Sequence, residues 1–522
     1  MRAIARVGLA VLSGLLIAAA WPVHGLAPLA FVAFVPLLYL QDKHYSFWIS
    51  SLTFLIWNTL TTWWVWKTTA IGTVAMIALN TLFMTCVFWA YHFVKTRLYD
   101  NKKGYYLLII FALAFEYLHL NWQLNWPWLN LGNVFSHYHS WVQWYSITGI
   151  AGGTIWVLAS NILCYKLLKN YNKKYVISLI CLLFIPLIIS KIQYFSYSES
   201  GEDVEIVVVQ PNLDPYSEEF TLTPPQIIER NLSVAAPMIT ENTRFIVSPE
   251  SAIQEEIWLE IIDEFYSIDT LRRFISSYSQ TCYVIGLSTN SLVPKGCEND
   301  FAARKTSFRY RGKRAYTYSY AYNTAALITV DSIQLYHKSK LTPGAEAMPS
   351  WWFLRLLKDK AIDLGGTVGT LKKDTEARTL SFDNHKVGTL ICYESVFGEY
   401  VTEFVKNGAD MLFVITNDGW WGNSPGHRQH LEFSKLRAIE TRRSVARSAN
   451  TGISGFINQR GDIIQQSKYW EQTALRNTLK TNDKLTFYVR HGDYIYKIAV
   501  FLTALLVAMT IVKLIMKKQW KH

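Results

Sequence analysis

Long apolar runs constrain this chain of 522 residues more than any other feature. A transmembrane helix needs about 20 consecutive residues that are mostly apolar. Runs of this kind occur at about 3–20, 25–40, 46–66, 71–94, 105–120, 150–168, 174–191 and 496–516. Between 192 and 495 no comparable run occurs, and that stretch carries most of the Asp and Glu residues.

The apolar runs divide the chain into three parts. We predict an N-terminal bundle of about seven helices over 1–195, a polar domain over 200–490 and a C-terminal transmembrane helix over 494–518. The composition agrees, because charged residues make up 17% of the chain against about 25% in soluble globular proteins. Hydrophobic residues make up 51%, which excludes intrinsic disorder and collagen-like repeats.

Basic residues in the short loops predict the orientation of the bundle. Arg2 and Arg6 precede the first run, and four lysines lie within 166–174, whereas the loops at 21–24 and 121–149 contain neither Lys nor Arg. Short cytoplasmic loops are enriched in Lys and Arg. Both termini are therefore expected in the cytoplasm and the polar domain outside it. Much of the net charge of +12 is explained by orientation, so nucleic acid is not expected as a partner.

The segment 121–146 is rich in Trp and free of cations. One interpretation is a belt of aromatic side chains at the membrane surface, where Trp and Tyr are enriched. The other is a half-embedded segment that lines an access path for lipids. The sequence leaves both open. Glu116, within the fifth run, is interpreted as a polar contact that faces the bundle rather than as part of an ion path.

Short β-branched runs punctuate the polar domain. They lie at 204–210, 245–248, 283–287, 325–330, 387–391, 412–416 and 453–457. Stretches with the apolar spacing of amphipathic helices separate many of them, as at 428–443. Strands that alternate with helices predict an α/β domain whose strands are buried on both faces.

Three of these strand regions end in residues with reactive side chains, namely Glu250, Lys338 and Cys392. Each taken alone has an ordinary explanation, since a Glu or Lys after a strand is usually solvated and a Cys after a strand is usually a core residue. Together they suit thiolate chemistry, because a Cys of ordinary pKa needs a base or a cation to activate it. A Glu can accept the thiol proton, and a Lys can stabilise an oxyanion.

The order Glu, Lys, Cys, in the contexts Pro-Glu, Tyr-His-Lys and Cys-Tyr-Glu-Ser, resembles the nitrilase (carbon–nitrogen hydrolase) superfamily. The layout of helices around such a domain resembles the apolipoprotein N-acyltransferase family over nearly the whole chain. The segment 417–454, which begins Asn-Asp-Gly-Trp-Trp-Gly, is the most specific local match. The resemblance implies a polytopic α-helical membrane bundle joined to an extracytoplasmic nitrilase-like α-β-β-α sandwich.

The resemblance also implies a role for individual residues. Glu250 would be the general base, Lys338 the lysine that stabilises the oxyanion, and Cys392 the nucleophile. Glu346, eight residues after Lys338, would be an additional essential glutamate. Supporting or substrate-binding positions would be Tyr393, Glu394, Asn417, Trp420 and, in place of the Trp that the family has on its lid, Phe220 or Tyr216.

The loop after Lys338 departs from the family pattern. Lys340 stands where the family often has His, and Pro343-Gly344-Ala345-Glu346 replaces Pro-Phe-Gly-Glu. These departures leave Glu250, Lys338 and Cys392 unaffected and fall within the loop that follows Lys338.

The implied activity is acyl transfer at a bacterial inner membrane, with the catalytic domain in the periplasm. The donor would be a phospholipid, with phosphatidylethanolamine expected, and the acceptor the diacylglyceryl-cysteine of an apolipoprotein. No cofactor is expected, and the chain is expected to be a monomer. Two alternatives stay open, a membrane-anchored amidase and an inactive transporter or binding protein.

Other reactive side chains carry less information. His427 and His430 are close in sequence, but no Glu or Cys supports the spacing of a zinc site, so no metal is expected. Cys282 and Cys297 are a possible disulfide pair in an oxidising compartment, and sequence alone does not give the distance between them.

Overall fold

The computed structural model describes residues 2–100, 103–310, 313–347 and 370–519. Its α-helices are α1 Ala3–Ala20, α2 Val35–His44, α3 Phe47–Thr62, α4 Ala70–Tyr99, α5 Leu107–Asn121, α6 Tyr145–Thr148, α7 Ile150–Lys169, α8 Lys173–Ser196, α9 Glu218–Thr221, α10 Pro224–Ala235, α11 Tyr266–Ile275, α12 Gly398–Lys406, α13 Pro425–Thr441, α14 Phe487–His491 and α15 Tyr494–Gln519. Its strands are β1 Asp203–Gln210, β2 Thr243–Val247, β3 Ile253–Trp258, β4 Cys282–Leu292, β5 Arg304–Tyr310, β6 Lys313–Ile328, β7 Ile333–His337, β8 Leu380–Phe382, β9 His385–Ile391, β10 Met411–Thr416, β11 Val445–Ala449, β12 Gly455–Ile457, β13 Ile463–Gln466 and β14 Thr473–Lys480.

The chain forms two compact units. The first comprises 1–197 and 486–522, and the second comprises 198–485. Within the described residues, five helices of the first unit are long and apolar enough to cross a membrane, namely Ala3–Ala20, Ala70–Tyr99, Ile150–Lys169, Lys173–Ser196 and Tyr494–Lys517. Helix α5 is apolar but shorter. These helices agree with the prediction of a membrane bundle.

The prediction of one continuous helix over 25–40 is wrong. The run instead forms a 3₁₀ turn, Ala27–Phe31, and then the ten-residue helix α2. Pro28 and Pro36 lie in the first turns of these two elements. Because proline has no N–H to donate, it is tolerated at the start of a helix and interrupts one elsewhere.

The Trp-rich segment after α5 packs against the bundle. It forms three 3₁₀ turns, Pro127–Leu129, Leu131–Phe135 and His139–Trp141. The buried carboxylate of Glu116 accepts hydrogen bonds from the Leu131 N–H at 2.8 Å and from the hydroxyls of Thr154 and Tyr496 at 2.8 and 2.9 Å. Glu116 is thus the polar contact within the bundle that the sequence suggested, and it ties this segment to α5, α7 and α15.

Within its described residues, the second unit contains two β-sheets. The first has the order β14-β1-β2-β4-β6-β5, with β3 paired to β4 and β7 to β6, and the second has the order β13-β12-β11-β10-β9-β8. The centre of each is parallel, β1-β2-β4 in the first and β9-β10-β11 in the second. Parallel strands need crossover connections, which the intervening helices provide.

The two sheets pack face to face, and helices cover their outer faces. Phe245 of β2 lies against Phe413 of β10, with ring centroids 5.2 Å apart. Helices α10 and α11 bury Ile228 and Leu271 against the outer face of the first sheet. Gly388 of β9 allows Phe404 of α12 to approach the second sheet, because a Cβ at position 388 would lie 2.9 Å from the Phe404 Cβ. The result is the expected α-β-β-α sandwich.

Helix α13 differs from its prediction in burial. The sequence predicts an amphipathic helix at 428–443, and the structure has α13 at Pro425–Thr441 with nearly all its residues buried. Its charged residues form ion pairs three residues apart along the helix, such as Lys435 with Glu432 at 2.7 Å and Arg437 with Glu440 at 2.8 Å. Charged residues such as these are therefore buried as ion pairs rather than exposed to solvent.

Candidate active site

Cys392 follows β9 and begins the 3₁₀ turn Cys392–Val396, which we name the Cys392 turn. The backbone of Cys392 is in the left-handed region, with φ +50°. Residues other than Gly adopt this conformation at a cost of about 1–3 kcal/mol. The Ser395 hydroxyl donates to the Cys392 carbonyl at 2.8 Å, and His430 Nε2 lies 3.1 Å from the same oxygen. These contacts hold the strained residue in place.

Glu250 lies just after β2 and is 7% exposed. Its loop runs against β4, where the Gly286 N–H donates to the Pro249 carbonyl at 3.1 Å. A side chain at position 286 is excluded, because a Cβ there would lie 2.6 Å from the Glu250 Cα. Glu250 Oε2 accepts a hydrogen bond from the Asn417 N–H at 3.1 Å, so the carboxylate bridges the ends of β2 and β10.

Lys338 follows β7 and is 1% exposed. Its ammonium donates to Glu250 Oε1 at 2.9 Å and to Glu346 Oε1 at 2.8 Å. The side-chain amide of Asn323 on β6 donates to the same two oxygens, at 2.7 and 3.1 Å. Two nitrogens and two oxygens thus form a closed ring of hydrogen bonds, which we name the carboxylate ring.

The charges of this cluster are strongly coupled. Burial raises the pKa of the Cys392 thiol well above its usual range, and the nearby Glu250 raises it further, while Lys338 opposes both. Burial alone would lower the pKa of Lys338, but Glu250 and Glu346 outweigh it and hold that pKa high. Burial likewise opposes ionisation of Glu346, and the charge of Lys338 prevails and lowers the Glu346 pKa. The structure therefore brings Cys392, Glu250, Lys338 and Glu346 into one buried cluster.

Glu394 connects the Cys392 turn to the segment after β7. Its Oε1 accepts hydrogen bonds from the Tyr336 hydroxyl at 2.5 Å and from the Ser339 and Lys340 N–H groups at 2.7 and 3.2 Å. Its Oε2 accepts from the Ile391 N–H at 2.9 Å. Burial raises the pKa of Glu394 to about 7, although these donors favour the ionised form.

A buried network lies behind the Cys392 turn. Asp418 accepts hydrogen bonds from Thr416 at 2.7 Å and from Arg447 at 2.5 Å, and it lies 2.9 Å from His430 Nδ1. Burial would raise the pKa of Asp418, but Arg447 and His430 hold it well below its usual range. Asp418, His430 and Arg447 all lie in the segment 417–454 that resembles the family, but no role was predicted for Asp418 or Arg447, and the role weighed for His430 was that of a metal ligand.

The same region contains a group with the residue types of a metal site. Ligand atoms of Cys392, Asp418 and His430 lie within 4.8 Å of one another. However, the Arg447 guanidinium lies against Asp418, and both ring nitrogens of His430 have polar neighbours. A cation beside a buried guanidinium would be repelled, so we interpret these residues as a hydrogen-bond network.

The other predicted site residues lie in two places. Tyr393, in the Cys392 turn, is buried against Phe397. The half-exposed Tyr216 packs its ring against Trp420, at a centroid distance of 5.2 Å, and its hydroxyl donates to the Trp420 carbonyl at 2.7 Å. The side chain of Phe220, the other candidate for the lid position, lies outside the described residues.

Neither member of the possible disulfide pair is oxidised. Cys282 is buried at the start of β4 and Cys297 is exposed, and both are free thiols.

Asn323 is the residue of this cluster that sequence reasoning missed. It lies within β6, in the run Ala-Tyr-Asn-Thr-Ala, and is 7% exposed. The predicted strand begins only at position 325, so Asn323 lies outside it; the observed strand extends back to Lys313, and this places Asn323 among buried groups that need hydrogen-bond partners.

Comparison with known proteins assigns both parts of the chain. The family model described as apolipoprotein N-acyltransferase N-terminal domain matches residues 13–163, and the carbon–nitrogen hydrolase model matches residues 306–482. The chain thus carries an apolipoprotein N-acyltransferase N-terminal domain and a carbon–nitrogen hydrolase domain. Its resemblance to the apolipoprotein N-acyltransferase family is confirmed.

Similar proteins cover nearly the whole chain. An apolipoprotein N-acyltransferase of Chlorobaculum tepidum is 27% identical over 514 residues, which span 93% of each chain. One of Geobacter metallireducens is 25% identical over 518 residues, which span 93% of this chain and 91% of the relative. Among solved structures, an amidase from Nesterenkonia sp. aligns with 56% of this chain and 94% of its own, at 17% identity and a TM-score of 0.37.

Proposed function

We propose that this protein transfers a fatty acyl chain from a membrane phospholipid to the α-amino group of the N-terminal diacylglyceryl-cysteine of lipoproteins. The observation that carries the proposal is the position of Cys392 beside a buried ion pair within a carbon–nitrogen hydrolase domain. The two members of that pair, Lys338 Nζ and Glu250 Oε1, lie 2.9 Å apart. The full-length similarity to apolipoprotein N-acyltransferases supports the choice of substrates.

In the first half-reaction Glu250 removes the thiol proton, and the Cys392 thiolate attacks the ester carbonyl of the phospholipid. Lys338 stabilises the resulting oxyanion, and the Tyr393 N–H is a second donor. The C–O bond of the ester then breaks. Glu250 returns the proton to the departing alkoxide, so that a lysophospholipid leaves and a thioester on Cys392 remains.

The contacts of Glu250 suggest which of its oxygens carries the proton. Oε1 already accepts two strong hydrogen bonds, from Lys338 and Asn323. Oε2 accepts one within the described part of the chain, from the Asn417 N–H at 3.1 Å. Because a carboxylate oxygen has two lone pairs, Oε2 is the oxygen with capacity to take the thiol proton.

In the second half-reaction the amine of the lipoprotein attacks the thioester. Glu250 accepts a proton from the attacking amine, the C–S bond breaks and the thiolate of Cys392 recovers that proton. The acyl chain ends on the amine as an amide. The chemistry needs only these side chains, because the energy of the ester is kept in the thioester, and we assign no cofactor.

The supporting residues are assigned roles around this centre. Glu346 shares the charge of Lys338 with Glu250, and Glu394 fixes the Cys392 turn relative to the Lys338 segment. Asn417 orients Glu250 through its N–H. Tyr216, Trp420 and Phe220 are assigned to substrate contact, with Phe220 or Tyr216 in the position of the family's lid Trp.

Both substrates are lipids, which agrees with a chain that carries membrane-spanning helices. We assign the protein to the bacterial inner membrane, with both termini in the cytoplasm and the catalytic domain in the periplasm. Phosphatidylethanolamine is the proposed donor, and a monomer is the proposed functional unit.

A transfer assay on the full-length protein in detergent tests this function. The donor is phosphatidylethanolamine with isotopically labelled acyl chains, and the acceptor is a synthetic diacylglyceryl-cysteine peptide. We expect the peptide to gain one labelled acyl chain with wild type and with the Cys297→Ala control, and to stay unmodified with Cys392→Ala. Labelled free fatty acid with unmodified peptide would instead indicate a hydrolase, and no turnover at all would indicate a binding protein.

A further inference from the structure

We infer that Asn323 is a positioning residue for acyl transfer, because its side-chain amide holds the carboxylates of Glu250 and Glu346 side by side. The inference rests on the proposed role of Glu250 as the base. It goes beyond the Glu, Lys and Cys residues that the sequence indicates, since Asn323 contacts both glutamates and replaces neither.

The geometry of the carboxylate ring carries this inference. Asn323 Nδ2 lies 2.7 Å from Glu250 Oε1 and 3.1 Å from Glu346 Oε1. Lys338 Nζ contacts the same two oxygens from its own side, at 2.9 and 2.8 Å. The Oε1 atom of each glutamate therefore has two donors, and neither carboxylate can turn without breaking its contacts to both nitrogens.

The amide group matches this position. Its nitrogen has two N–H groups, one for each carboxylate. The opposite orientation would place the amide oxygen against two carboxylate oxygens, so the ring fixes the orientation. Asn323 Oδ1 is buried and has no hydrogen-bond partner among the described residues. A buried acceptor left unpaired is unfavourable, so the contacts of Nδ2 determine where this side chain lies.

The backbone of the same residue positions the lysine. The Asn323 carbonyl accepts a hydrogen bond from the Lys338 N–H at 2.8 Å. Asn323 thus sets the backbone of Lys338 and the two carboxylates that its ammonium contacts.

A neutral donor suits the chemistry better than a second cation. Two buried carboxylates repel each other, and one ammonium offsets a single negative charge. A second Lys or Arg would hold the carboxylates together but would also bury another positive charge beside the Cys392 site. An amide donates two hydrogen bonds without adding charge. The ring therefore keeps Glu250 in place without a second cation.

Removing the amide has a consequence for pH dependence. Without these two donors Glu250 and Glu346 repel each other more strongly, and Glu346 loses one of the hydrogen bonds that lower its pKa. Among the described residues, the charged or titratable groups that act on this cluster are Lys338, Glu346, Cys392, Tyr393, Asp418 and Glu394. All of them remain in an Asn323→Ala variant, so the change isolates the amide.

The test measures the rate at which iodoacetamide alkylates Cys392 between pH 5 and 9, by mass spectrometry of the full-length protein. For Asn323→Ala we expect the acidic limb of this profile to move up by about one pH unit, a tenfold slower reaction on that limb, with convergence at high pH. Single-turnover formation of the acyl-enzyme from phosphatidylethanolamine should slow by about 10–100-fold. Asn323→Asp places a third carboxylate in the ring. Its Cys392 should be alkylated more slowly than that of Asn323→Ala at pH 8, and this difference between the two variants should narrow as the pH falls.

The matched control is Asn482→Ala, another buried Asn of the second unit whose amide donates to the Arg442 carbonyl at 2.8 Å. It should leave the profile unchanged even if it lowers the thermal midpoint. An Asn323→Ala profile that superimposes on wild type would overturn the inference. Alkylation needs no lipid, so a wild-type protein that transfers no acyl chain would refute the proposed function and still leave this test decisive.

Discussion

The ammonium of Lys338 lies 2.9 Å from Oε1 of Glu250, although the two residues are 88 positions apart in the sequence. The contact joins the end of β7 to the end of β2 inside the second unit. Both side chains are more than nine-tenths buried. Removing one partner of such a pair leaves an uncompensated charge in a medium of low dielectric constant.

Lys338→Met should therefore abolish acyl transfer and destabilise the second unit. Loss of a buried partner lowers the free energy of unfolding by about 3–5 kcal/mol. Lys372→Met is the matched control, because Lys372 pairs with Asp300 at 2.6 Å on the surface and its loss should change stability by less than about 1 kcal/mol. Thermal unfolding in detergent checks this, and equal midpoints for the two variants would contradict the account.

The raised pKa of Glu394 predicts a pH dependence of stability. Its pKa is about 7 in the folded protein against an ordinary 4.5, so the folded state binds the proton more tightly. Its contribution to stability is complete below pH 4.5 and is lost as the pH rises to 7. Between pH 5 and 8 the thermal midpoint of wild type should fall more than that of Glu394→Gln, which has no carboxyl to titrate. Parallel curves for the two proteins would show that Glu394 does not titrate in this range.

Replacing His430 or His427, two histidines of the same helix, should have different effects on the reactivity of Cys392. Both His430 and His427 are buried in α13, but His430 Nε2 lies 3.1 Å from the Cys392 carbonyl, whereas His427 stacks on Tyr469. His430→Ala should release the strained Cys392 turn and slow alkylation of Cys392 by about 10–100-fold, while His427→Ala should change it by less than threefold. A similar loss in both variants would mean that α13 as a whole, rather than His430, supports the turn.

Cys297 is a natural reporter for the proposed orientation. It is exposed in the second unit, which we assign to the periplasm. A maleimide that cannot cross membranes should label Cys297 in intact spheroplasts that express the wild-type protein. It should not label this position in spheroplasts that express Cys297→Ser. Tyr171→Cys places a thiol in the exposed loop between α7 and α8, which we assign to the cytoplasm, and should react only after permeabilisation. The reverse pattern would invert the topology.

Much of the fold follows from the spacing of apolar residues. The central strands β1, β2, β4, β9 and β10 are short β-branched runs, and such runs are recognisable because both faces of a parallel strand are buried. Strands β13 and β14 lie at sheet edges, and most of their residues are half-buried or exposed, so their polar composition resembles that of loops. The break in the run at 25–40 depended on Pro28 and Pro36, whose positions within the first turns of two elements become evident only once those elements are placed.

The site was predictable where chemistry is concentrated at strand ends. Glu250, Lys338 and Cys392 each follow a strand and together suit thiolate chemistry, while their individual roles were predicted from the family resemblance. Asn323 and Asp418 could not be nominated in this way, because their importance arises from partners distant in sequence. Asn323 contacts carboxylates 73 and 23 residues away, and Asp418 pairs with Arg447 29 residues on. The periodicity of apolar residues indicates which positions are buried, but it does not indicate which distant residues those positions contact.

The most direct test of the central claim is mass spectrometry of the intact protein and of its proteolytic peptides after incubation with phosphatidylethanolamine alone. We predict that wild type gains the mass of one fatty acyl chain on the Cys392 peptide, that hydroxylamine removes it and that a diacylglyceryl-cysteine peptide discharges it. Cys392→Ala should gain no such mass, and Cys297→Ala should behave as wild type. An acyl adduct that persists in Cys392→Ala, or no adduct in wild type under conditions where the peptide becomes acylated, would contradict a thioester on Cys392.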